Sequence, residues 1–117
     1  MILRCSGRLR PWLVASAITL AITTVACGPP TSGKSAGELY SEHCARCHGA
    51  DGRGDPRALA LSPSSDLGRS AFVRKRLRGP IYLRISQGYG SMPAFFHRLE
   101  RGDIDLLVDY VLELPAH

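Results

Sequence analysis

Hydrophobic and polar positions divide this chain into segments with different periods. From Ile104 to Leu114 the polar residues Asp105, Asp109 and Glu113 recur at every fourth position, and the rest is apolar or Tyr110. So narrow a wet stripe predicts a helix packed over most of its circumference. Its start is irregular: Glu100 stands where a Ser or Thr cap is expected, and Gly102 weakens the first turn. Another helix opens at Ser35, which forms a capping box with Glu38 three residues on. Ala36, Tyr40, Cys44 and Cys47 follow at helical spacing, which predicts both cysteines on the buried stripe. Gly49, Gly52 and Gly54 break that helix, and Asp55 to Leu67 reads as an extended loop. Ser70 to Arg78 predicts a short basic helix stopped by Gly79-Pro80. Pro80 to Gln87 predicts the next, with Gly88 as its C-terminal cap. No segment alternates with the period of a strand, so the fold class is all-α, with three or four short helices.

The N-terminus follows different rules. Met1 to Arg10 carries three arginines and no acid, and Pro11 to Ala26 is an uncharged, largely apolar run of sixteen residues. A basic region, an apolar region and small residues in that order predict an export signal over 1–26. The run is shorter than the roughly 20 residues that comfortably cross a bilayer, so a permanent membrane span is disfavoured. Thr24-Val25-Ala26-Cys27 resembles the lipobox of bacterial lipoproteins, in which the cysteine becomes the acylated first residue. Thr24 departs from the usual Leu, so cleavage after Ala26 without acylation stays open. Gly28 to Lys34 is a linker by composition and spans at most about 25 Å, which would keep a domain over 35–117 close to the membrane.

Charge changes meaning once the leader is set aside. The whole chain of 117 residues carries +5, but Arg4, Arg8 and Arg10 precede the cleavage zone and every acidic residue follows it. Twelve basic against ten acidic residues remain, a net +2, and nucleic-acid binding loses its main support. An apolar fraction of 44% excludes wholesale disorder, while twelve glycines and eight prolines predict a loop-rich fold. Fewer than a hundred residues bury only a modest core, which favours a cofactor that completes it.

That cofactor has a candidate site in Cys44-Ala45-Arg46-Cys47-His48. Two cysteines three apart on a helix turn both sulfurs to one side, matching the two vinyl groups of haem for thioether bonds. The adjacent histidine supplies an iron ligand. A thioredoxin-type redox pair needs a βαβ context, absent here. A structural zinc site needs a second Cys or His pair, while Cys5 precedes the cleavage zone and Cys27 lies beyond the linker. A plain disulfide leaves His48 unexplained. For the second axial position Met92 is the candidate, because it is the only methionine beyond the leader and sits in the Gly- and Pro-rich run Gly88 to Pro93. His97 is the one credible substitute: His43 shares a helix with His48, and His117 is terminal.

Taken together, these residues resemble the class I c-type cytochromes, the small bacterial monohaem kind. The resemblance spans Ala36 to Leu114. Gly37, Tyr40 and Tyr110 match the crossing of the family's first and last helices. Cys44, Cys47 and His48 match the attachment motif, and Gly88, Met92 and Pro93 the axial-ligand loop. The resemblance implies a cytochrome c-like fold wrapped round one covalent haem c, with one-electron transfer as its work. It also implies a proline whose carbonyl orients the proximal imidazole, and Pro56 and Pro63 both qualify.

The expected function is a periplasmic one-electron carrier with His48 and Met92 as axial ligands, tethered through Cys27. Two alternatives stay open: a subunit through which electrons enter a larger membrane oxidoreductase, and a haem peroxidase or gas-binding protein with a labile Met92. Arg74, Lys75, Arg76 and Arg78 form a basic run, either a solvated helix face or a docking patch for an acidic redox partner. Leu59, Leu61, Leu67, Ile81, Tyr82, Ile85, Phe95 and Phe96 are candidates for the haem pocket or the core.

Overall fold

The computed structural model describes residues Cys27 to Pro115, so the signal expected over 1–26 and the terminal His117 lie outside the described residues. Among the described residues every named element is helical. They are α1 (Ala36–His43), α2 (Ala45–His48), α3 (Pro56–Leu61), α4 (Ala71–Arg74), α5 (Arg78–Gln87) and α6 (Arg101–Glu113), with 3-10 turns at Pro63–Ser65 and Leu67–Arg69. The all-α class holds. The expected three or four helices correspond to α1, α5 and α6, with the remaining elements only one or two turns long.

Local chemistry explains each boundary. Ser35 Oγ accepts from the Glu38 N–H at 3.3 Å, and Glu38 Oε2 accepts from the Ser35 N–H at 2.8 Å. That reciprocal box is worth about 1 kcal/mol at the start of α1. The segment 55–67 is not the extended loop its composition suggests. Asp55 Oδ1 accepts from the N–H groups of Arg57 and Ala58, and Pro56 occupies the first helical position, where its missing N–H costs nothing. The basic helix stops early, at Arg74, because Arg76 takes a left-handed φ of 52°. Gly79 and Pro80 consequently fall inside the first turn of α5 rather than ending α4.

The core forms where α1 and α5 pack on α6. Leu39 and Tyr40 from α1, Ile81 and Ile85 from α5, and Ile104, Leu107, Val108 and Val111 from α6 are buried together with Phe95. Leu107 is fully enclosed, a burial worth roughly 1.5–3 kcal/mol. Asp105, Asp109 and Glu113 lie on the less buried side, as the stripe predicts. The Tyr40 and Tyr110 rings meet across the crossing with centroids 4.8 Å apart.

Both ends of α6 are closed by distant chain. At the C-terminal end the Arg76 guanidinium donates to the Leu112 carbonyl at 2.9 Å, and Arg78 pairs with Asp109. Arg74 donates to the carbonyls of Gly68 and Arg69. Much of the basic run is therefore engaged in holding the α4–α5 corner. At the N-terminal end Pro30 O accepts the Gly102 N–H at 2.9 Å, one of the donors that a helix leaves orphaned. Asp103 is 1% exposed, and its carboxylate accepts from the Glu100 N–H, the Ser32 N–H and the Ser32 hydroxyl. The segment expected to be a free linker is thus docked from Pro29 to Ser32. It also explains Gly102. A Cβ there would lie 2.5 Å from Thr31 Cγ2 and 2.7 Å from Pro30 O.

Gly102→Ala separates two forces. Helix propensity alone predicts stabilisation by about 1 kcal/mol. Collision with the docked segment predicts the opposite, a lower denaturation midpoint and faster proteolysis between residues 27 and 35. Urea unfolding with a protease time course reads both.

Candidate haem-binding site

The helix breaks inside the cysteine motif. Cys44 closes α1, its N–H donating to the Tyr40 carbonyl at 2.8 Å, and also precedes α2. The break separates the two sulfurs from a single buried stripe. Cys44 is 8% exposed and belongs to the core, whereas Cys47 is exposed, contrary to the helical spacing. Burial pushes the Cys44 thiol up to about 11, the neighbouring Cys47 adding to it, so this sulfur is held neutral at ordinary pH. A thioether carries no charge and suits the same environment. Neither sulfur is joined in a disulfide among the described residues. Among the described residues no cluster of three or more His, Cys, Asp and Glu gathers as a metal site would require.

His48 is fixed from behind. Its Nδ1 lies 2.8 Å from the Ser65 carbonyl oxygen. A carbonyl only accepts, so Nδ1 carries the proton and Nε2 keeps its lone pair for a metal. The orienting carbonyl comes from Ser65, buried at the end of a 3-10 turn, and from neither Pro56 nor Pro63. Pro63 opens the turn that delivers it. Residue identity at 65 carried no signal, because the contact is made by backbone. The loop 49–54 also folds back onto the motif: Gly54 N–H donates to His48 O at 2.8 Å and Asp55 N–H to Cys47 O at 2.9 Å. Tyr40 Oη donates to Gly49 O at 2.8 Å, and burial pushes its phenol well above the ordinary tyrosine value.

Met92 sits in a locked turn. Tyr89 N–H donates to Met92 O and Met92 N–H to Tyr89 O, each at 3.0 Å, so the residue's backbone is spent and its side chain is left to act. Gly88 enters the turn at φ 72°, ψ 178°, a region nearly confined to glycine, and a Cβ there would come within 2.5 Å of Met92 O. The Arg84 guanidinium lies 3.9 Å from the centre of the Tyr89 ring, a cation–π contact that steadies the turn by about 0.5–1 kcal/mol. Met92 is half-buried and packs on the same core that contains Cys44. His97 is exposed, with its ring against Phe96, and His43 meets Phe95 edge-on. Of the apolar candidates, Ile81, Ile85 and Phe95 are core, while Leu61 is 90% and Phe96 53% exposed.

The donor set fits a covalently held haem: two free thiols, one imidazole with its second nitrogen bare, and a thioether on a rigid loop. An all-helical fold that carries this donor set is that of a small c-type cytochrome. Residues 31–111 match the family described as cytochrome C oxidase, cbb3-type, subunit III, and the chain belongs to that family. A cytochrome c6 from Picosynechococcus sp. (strain ATCC 27264 / PCC 7002 / PR-6) is similar, 26% identical over 113 residues that span 86% of this chain and 92% of the relative. The solved structure of the KustC0563 c-type cytochrome has the same fold, with a TM-score of 0.61, 24% identity, and 69% of this chain covering 98% of that one. The protein is an electron-transfer protein rather than an enzyme, and its cofactor is covalent haem c.

Gly88→Ala should cost about 1–3 kcal/mol from backbone strain alone. Denaturant unfolding of the haem-loaded protein checks it. An unchanged midpoint would mean that the turn before Met92 is not held as described.

Proposed function

We propose that this chain is a periplasmic one-electron carrier with a single haem c, held through Cys44 and Cys47 and ligated axially by His48 and Met92. The observation that carries the reading is the Nδ1 contact of His48 with Ser65 O, which leaves Nε2 free to bind iron. When bound, the haem supplies the one-electron couple of its iron. The chain's own residues do the rest. Ser65 and the folded-back 49–54 loop hold the imidazole, and the reciprocal Tyr89–Met92 bonds hold the thioether. His48 and Met92 would hold the iron between them, which would leave no open site for a substrate.

Export and anchoring belong to the same reading. The basic leader and the apolar run supply the signal, and acylation of Cys27 ties the product to the membrane surface. Cys27 is exposed, and among the described residues no helix is long and apolar enough to cross a membrane. An acidic redox partner docks on Arg74 to Arg78, whose residues are exposed even though Arg74, Arg76 and Arg78 also hold the α4–α5 corner. The family match favours a second reading, a fixed subunit that passes electrons into a larger membrane oxidoreductase. Co-purification with a larger complex from solubilised membranes selects it over a free carrier.

A neutral thioether favours ferrous iron. Met92→Ala should therefore lower the reduction potential, abolish the weak red sulfur-to-iron charge-transfer band and let carbon monoxide bind the reduced protein. His97→Ala should do none of these. The opposite pattern would make His97 the ligand.

Cys27→Ser, with the leader retained, should move the protein from the membrane to the soluble periplasmic fraction with its haem spectrum unchanged. A wild-type protein that is soluble and without an acyl mass would sink the anchor.

A further inference from the structure

The chain between the acylated cysteine and the domain is not a tether of the length its composition suggests. Four contacts fix it to the start of α6: Pro30 O to the Gly102 N–H, both Ser32 donors to Asp103 Oδ1, and the close approach of Thr31 to Gly102. Asp103 is enclosed to 1% exposure, a carboxylate whose acceptors are spent on Ser32 and on the Glu100 N–H. Lys34 then pairs with Glu42 on α1 at 2.6 Å, which carries the hold past the turn. What stays free is Cys27 and Gly28, about 7 Å of chain where composition allowed about 25 Å.

We infer that Pro29 to Ser32 is a strap, anchored on Asp103 and accommodated by Gly102, that clamps the N-terminal end of α6 against the lipid surface and presents the haem to the membrane in one orientation. The inference rests on the acylation of Cys27 proposed above. A lipidated domain on a flexible linker samples many orientations. A domain clamped within two residues of its anchor cannot rotate its α6 end away from the headgroups. Its electron path then points at a partner fixed in the same membrane rather than at one diffusing through the periplasm. The arrangement fits a protein that delivers electrons to a neighbour always found at one height.

The test is polarised absorption of the full, acylated, haem-loaded protein in oriented bilayers of phosphatidylethanolamine and phosphatidylglycerol. Wild type should give a dichroic haem band. An insertion of about six Gly and Ser residues between Gly28 and Pro29, with an end-to-end distance of roughly 12–15 Å, leaves the strap intact and should abolish the dichroism. Asp103→Ala should abolish it as well, and should expose the Ser32 and Gly102 amides to rapid hydrogen exchange. The insertion variant should keep both amides protected. An acylated wild type with an isotropic haem overturns the inference, and so does an insertion or an Asp103→Ala variant with wild-type dichroism. A mature protein without acyl mass removes the anchor itself, and the clamp falls with it.

Discussion

Tyr40 joins the two halves of this structure. Its ring lies in the crossing of α1 and α6, against Tyr110, while its hydroxyl donates to Gly49 O just behind the histidine. The side chain is 2% exposed, so its one polar atom needs a partner, and leaving the hydroxyl unpaired would cost roughly 1–3 kcal/mol. That penalty forces the glycine loop against the helix pair. Once the loop is placed, Gly54 and Asp55 reach the carbonyls of His48 and Cys47, and α3 can start. The apolar crossing thereby fixes the position of a polar motif that contributes little to the crossing itself.

The site does its work with backbone more than with charge. His48 is oriented by a carbonyl oxygen, Met92 by two main-chain hydrogen bonds, and Cys44 by burial. A carboxylate in the place of Ser65 O would also hold the imidazole, but it would bring a buried charge to a low-dielectric site. A neutral carbonyl avoids that desolvation. Under the proposed ligation, neutral donors would add no charge of their own to the one that changes during electron transfer.

What could be read from residues was local. The Ser35–Glu38 box, the stripe of α6 and the Gly88 cap all involve partners within five residues, and each is found where the chain pattern puts it. The cysteine motif departs from its pattern, because the helix breaks at Cys44 and leaves Cys47 exposed. The α3 helix was legible in principle, since Asp55-Pro56 is a capping pair, but the Ser, Pro and Ala content of the stretch concealed it. Contacts across long sequence separation were not legible. Ser65 reaches His48 through its backbone, 17 residues away, and Asp103 holds Ser32 across 71. Neither partner can be named from periodicity or composition. The apparent faults of α6, a glycine and a missing Ser or Thr, were the visible half of the second pairing.

The closed ends of α6 have a consequence for how the domain comes apart. Terminal helices commonly fray turn by turn, because their end groups are satisfied by water as readily as by protein. Here the first turn donates the Gly102 N–H to Pro30 O and accepts from Ser32 on the Asp103 carboxylate, and the last turn gives the Leu112 carbonyl to Arg76. Losing either end also strips a partner from a segment elsewhere in the chain. α6 therefore has no cheap partial opening of its own, and the strap, the crossing and the α4–α5 corner belong to a single cooperative unit.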